Sequence, residues 1–267
     1  MLELLEAGQV DQAAGLRRLF RARTGRAIAF VSGRESCGRT RLLAQTAAAL
    51  ARSGESVLVI DENGGDDNLH KAFGLQLGRD LLDVGLRDVA AESLIQRVIA
   101  GPGVLTAARL AMHRGELTGQ SAQRLDRALE ALQQAHSYIL IDCADGSPQQ
   151  LSPLAMAAPS MAVVVAAQTT AITRAYALIK RLVRESGRES FQLVITRARS
   201  DQESQAIFSN MQRTAREHLG VRLDYLAEAR QPAVDNIAGS LEICLPKGAT
   251  GFRSLARDVA ARARAES

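Results

Sequence analysis

The stretch AIAFVSGRESCGRTRLLAQTAAALARSGESVLVID, Ala27 to Asp61, decides the fold. Its apolar run Ala27 to Val31 has strand length. Ser32 to Thr40 is a polar loop with two glycines, Arg41 to Arg52 is an alanine-rich helix closed by Gly54, and Ser56 to Ile60 is a second apolar strand ending on Asp61. Strand, loop, helix and strand in this order open a parallel sheet, in which phosphate-binding loops lie at the carboxyl ends of the strands.

Working outward, further strands are predicted at Gly103 to Ala107, Tyr138 to Ile141, Met161 to Ala166, Phe191 to Ile195 and Leu223 to Leu226, which makes about seven. Their near-continuous apolarity suits strands covered on both faces. Helical periodicity falls between them at Gly119 to Gln134, Ala171 to Glu185 and Asp201 to Leu219, with a last helix at about Gly251 to Ala263. The predicted fold is α/β: a single doubly wound domain, residues 25–267, with a mostly parallel sheet and helices on both faces. Residues 1–24 form an appended helix, Leu4 to Arg23, with its linker; Val10, Ala13, Leu16, Leu19 and Phe20 recur at helical spacing.

Composition narrows the class. The longest apolar run, Met161 to Ala167, is far short of a membrane span, and the N-terminus lacks the basic and apolar regions of an export signal. A formal charge of +4 with dispersed arginines does not indicate nucleic acid. Cys37, Cys143 and Cys244 are too scattered for a disulfide framework, and the four histidines show no metal spacing, so a reducing, cytoplasmic setting is expected. In GFRSLARDVAARARAES, Phe252, Leu255 and Val259 share a face; it is expected to pack on the sheet, with weak or no membrane association.

The loop GRESCGRT alone falls short of the phosphate-loop pattern, which asks for lysine where Arg39 stands. Neighbouring segments add to it: VLVIDENGGDDNLHKAFGL from Val57, YILIDCADG from Tyr138, TTAITRAYALIKRL from Thr169 and LVITRARS from Leu193. In order and spacing these resemble the MinD/ParA family, whose motifs run GKGGVGKT, VLLIDADxGxxNL, a later strand ending in aspartate, PTAITDAYALIK and LVVNRA. The segment DQAAGLRRL, Asp11 to Leu19, is similar to the DQAxxLR motif of the family's FlhG branch.

The resemblance implies a P-loop ATPase fold, ATP and Mg2+ as cofactors, and a regulator of flagellar number and placement. Gly33, Glu35, Ser36, Cys37, Gly38, Arg39, Thr40, Arg41, Thr196 and Arg197 would border the nucleotide; Thr40, Asp61 and Asp142 would support the metal. Arg34 stands in place of the signature lysine and Asn63 in place of the catalytic aspartate. Asp11, Gln12, Ala13, Leu16 and Arg17 would contact the GTPase FlhF, with Asp11 capping a helix that starts at Gln12. A homodimer, a flagellar transcription regulator and C-ring proteins complete the implied partners.

The departures are chemical. Arg39 offers a planar fork where lysine offers a compact ammonium. If the two glycine positions filled by Glu35 and Ser36 need positive φ, each residue costs roughly 1 to 2 kcal/mol. A Glu35 carboxylate about 5 Å from a phosphate charge costs on the order of 3 kcal/mol at an effective dielectric of 20. Asn63 can orient water but cannot accept its proton, and Thr196 replaces an adenine-contacting asparagine. Weak or lost ATPase activity is therefore expected. Two readings compete with an ATP-controlled switch: a nucleotide-independent module of the same fold, and a ParA-like partitioning ATPase.

Overall fold

The computed structural model describes residues 26–33, 37–65, 68–112, 119–144, 151–229 and 251–255, with 237 and 241. The N-terminal segment with Asp11, Gln12, Ala13, Leu16 and Arg17, the loop residues Arg34, Glu35 and Ser36, and Val259 lie outside them.

An eight-stranded sheet runs in the order β3-β4-β2-β5-β1-β6-β7-β8. Its strands are β1 (Arg26–Ser32), β2 (Val57–Asp61), β3 (Gln96–Arg97), β4 (Gly103–Thr106), β5 (Tyr138–Asp142), β6 (Ser160–Ala166), β7 (Ser190–Thr196) and β8 (Arg222–Ala229). All neighbours are parallel except β3 and β4. The eighth strand, absent from the sequence reading, is the two-residue β3; Gln96 and Arg97 carry no apolar run to announce it.

Side chains alternate across the sheet, so each strand feeds two cores. Ala27, Ala29, Val31, Leu58 and Ile60 enter one, and Ile28, Phe30, Val57 and Val59 enter the other. Helix α1 (Arg39–Arg52) covers the second core through Leu42, Leu43 and Leu50. Opposite, the first core is covered by α5 (Gly119–Ala135), α7 (Thr169–Ser186) and α8 (Asp201–Leu219). Leu125, Leu129 and Leu132 of α5, Leu178 and Leu182 of α7, and Phe208 and Met211 of α8 repeat every three or four residues, the period that keeps a helix face on the sheet.

Four shorter helices carry the chain between strands: α2 (Leu69–Ala72), α3 (Leu82–Arg87), α4 (Ala108–Met112) and α6 (Pro153–Ala157), with a 3-10 turn at Ala91–Leu94. Buried Asp80 starts two of them, since its carboxylate accepts from the backbone N of Leu82, Arg109 and Leu110. The segment 251–255 packs inward. Leu255 is buried in the first core, Phe252 packs against it, and Asp126 accepts from Leu255 N at 2.7 Å and Ser254 Oγ at 2.7 Å. Cys143 and Cys37 are buried on opposite faces of the sheet, Cys143 in the first core and Cys37 in the second.

Candidate functional site

The loop after β1 is shaped by two glycines. A Cβ on Gly33 would sit 2.7 Å from the Arg174 carbonyl carbon of α7, so only glycine lets loop and helix approach. Gly38 ends the loop at φ +82, the left-handed region that an L side chain strains to enter, and caps α1. Thr196, at the end of β7, donates its hydroxyl to the Cys37 carbonyl at 2.9 Å and so ties the loop to the sheet. Arg197 follows at φ +60 and is exposed, as is Arg41 on α1.

Parallel register places Asp61 of β2 directly beside Asp142 of β5, both fully buried at the carboxyl end of the sheet. Arg39, 4% exposed, turns inward toward them. Its Nε donates to Asp142 Oδ1 at 2.6 Å and its Nη1 to Ser32 Oγ at 3.0 Å. Asn63 Nδ2 donates to the other oxygen, Oδ2, at 2.9 Å. Burial pushes the Asp142 carboxyl above the usual range; the Arg39 guanidinium and a hydrogen bond from the Thr40 side chain pull it back, while Asp61 adds to the rise.

Asp61 holds the start of α2. Its Oδ1 accepts from Asn63 N at 3.0 Å, and its Oδ2 accepts from Leu69 N at 2.8 Å and from the His70 ring Nδ1 at 3.0 Å. His70 Nε2 meets Thr106 Oγ1 at 2.9 Å, so the ring is held at both nitrogens. Glu62 points the other way. It accepts from the Ser152 hydroxyl and, at 3.1 Å, from Ala144 N, and burial raises its pKa to about 7 despite these donors.

Of the residues the sequence nominated, the structure brings together Arg39, Thr40, Asp61, Asn63 and Asp142, and sets Gly33, Cys37, Gly38 and Thr196 along the adjoining loop. His70, Glu62, Ser32, Ser152 and Thr106 were not nominated. Only His70 carried a signal, its place immediately after Asn68 and Leu69 in the matched motif.

A family model described as cellulose biosynthesis protein BcsQ matches residues 27–219. Antiactivator FleN of Pseudomonas aeruginosa is 30% identical over 207 residues, which cover 74% of this chain and 71% of FleN. The MinC:MinD cell division complex of Aquifex aeolicus contains a chain that superposes with TM-score 0.56 at 21% identity, covering 91% of this chain and 97% of that one. The chain belongs to the MinD/ParA family. Among other members, septum site-determining protein MinD of Bacillus subtilis is 26% identical, covering 66% of each chain. MinD of Pyrococcus horikoshii, solved as a complex with Mg-ADP, shares the fold at TM-score 0.55 and 21% identity, covering 91% of this chain and 99% of its own. The family P-loop fold is thus shared.

Proposed function

We propose that this MinD/ParA-family chain is a FleN-like regulator of flagellar number and placement that works by protein contact, with weak or lost ATP hydrolysis. The observation that carries the regulatory reading is the 30% identity to FleN across 207 residues. The DQAAGLRRL segment names the partner: FlhF, a GTPase, engaged through Asp11, Gln12, Ala13, Leu16 and Arg17. Among the described residues no helix is long and apolar enough to cross a membrane, and the apolar side chains of Phe252 and Leu255 are spent on the core. A cytoplasmic protein fits these features.

Weak hydrolysis is supported by Asn63. An amide has no basic oxygen to take a proton from water, and here its NH2 group is already donated to Asp142. The contact with FlhF is local to the N-terminal segment and should not depend on ATP. Purified full-length chain is expected to speed GTP hydrolysis by the cognate FlhF, and Gln12→Ala to abolish the stimulation with the fold intact. An FlhF whose rate is the same with and without the chain would overturn the partner assignment.

A further inference from the structure

We infer that Arg39 is the resident counter-cation of this site and that magnesium has no seat between Asp61 and Asp142. The inference deepens the weak-hydrolysis reading and shares its site, but it does not depend on FlhF.

Magnesium demands oxygen ligands in near-octahedral geometry and tolerates little distortion. Of the residues expected to support such an ion, Thr40 already donates its side chain to Asp142, and the two aligned carboxylates carry the charge, so the fit turns on what their oxygens already hold. Asp142 Oδ1 takes the guanidinium of Arg39 at 2.6 Å, and Oδ2 takes the amide of Asn63 at 2.9 Å. Asp61 Oδ1 takes Asn63 N, while Oδ2 takes Leu69 N and His70 Nδ1.

Each of these donors engages a carboxylate oxygen that a cation would need. Three of the five come from main chain, Asn63 N and Leu69 N, or from a His70 ring held at its far nitrogen by Thr106, and the last two are fixed by the start of α2. The fourth is the Asn63 amide, and the fifth, Arg39, is itself a permanent cation, buried and braced by Ser32 as well as Asp142. A divalent ion entering here would meet like charge and would leave a guanidinium buried without its carboxylate. The residues therefore do not fit the group that the family fold implies. Arg39 neutralises Asp142 in its stead, and Asn63 adds a second donor where an aspartate would have added a second acceptor.

The consequence is a nucleotide site indifferent to magnesium. Equilibrium binding of ATP to the full-length chain, measured by calorimetry in magnesium and again in EDTA, should give affinities within about twofold. Absence of binding in both conditions overturns that consequence, because there is then no nucleotide site to be indifferent to magnesium. Tightening by about tenfold or more in magnesium overturns the inference. The cause is tested by Arg39→Lys with Asn63→Asp in one chain, in which a magnesium-dependent gain of about tenfold should appear. A folded double variant still indifferent to magnesium would remove Arg39 and Asn63 as the cause. If that variant does not fold, the measurement on the unaltered chain decides alone. Magnesium-tightened binding without turnover would defeat this inference and leave the weak-hydrolysis reading standing, whereas an unmoved FlhF rate would overturn the partner assignment and leave this inference standing.

Discussion

Asp142 and Arg39 are each nine-tenths or more buried, and each has been removed from water on the strength of the other. Replacing such a pair with apolar groups is often tolerated, but removing one partner strands the other's charge. Asp142→Asn is therefore expected to lower the unfolding free energy by about 3 to 5 kcal/mol, while Arg39→Met with Asp142→Leu regains most of it. Urea unfolding checks this. A loss below about 1 kcal/mol for Asp142→Asn would mean that the pair is not the site's brace.

Glu62 gives a second residue-level expectation. Its folded pKa of about 7 lies above the ordinary 4.5 because burial disfavours the charge. The folded chain therefore holds a proton that the unfolded chain releases, and the stability this contributes is whole below 4.5 and lost as pH rises through 7. The span corresponds to about 3 kcal/mol at most. Burial shifts Asp142 the same way. Denaturation midpoints followed across that window should fall with rising pH, and Glu62→Gln should flatten the slope. A wild-type slope of opposite sign would contradict the buried placement of Glu62.

At the scale of elements, what was legible followed from local pattern. Helix α8 was read from sequence at the bounds it has, because Ser200 caps it by accepting from Glu203 N and Gly220 ends it in the left-handed region. Helices α2, α3, α4 and α6 were not read, since four to six residues do not complete two turns of any period. Their starts are fixed by distant groups instead. Asp80 holds α4 from about 30 residues away in sequence, and Asp61 holds α2. The phosphate loop shows both kinds of information. Gly38 was legible as a loop glycine, but the need for glycine at 33 comes from the α7 backbone lying against it. Gly33→Ala should force loop and helix apart and cost about 1 to 3 kcal/mol, seen as a lower thermal midpoint. An unchanged midpoint would mean that the loop is not pressed on α7.

For the whole molecule, the strand-end aspartates could be placed from sequence because parallel register carries them to one edge of the sheet. Their occupancy could not. Arg39 and Asp142 are 103 residues apart, and His70 reaches Thr106 across 36, so the inward turn of Arg39 and the locking of Asp61 belong to tertiary packing rather than to any motif. Arg39 and Asn63, expected from the resemblance to stand where lysine and aspartate would, thus acquire a joint meaning only in the fold: both donate to Asp142. On the proposed reading, this MinD/ParA-family chain keeps the fold and hydrolyses ATP weakly or not at all. Steady-state ATP hydrolysis by the purified full-length chain in magnesium tests that most directly. We predict a rate at least about 100-fold below that of a chain carrying Glu35→Gly, Ser36→Gly, Arg39→Lys and Asn63→Asp together. Turnover by the unaltered chain equal to that of the restored one would contradict it.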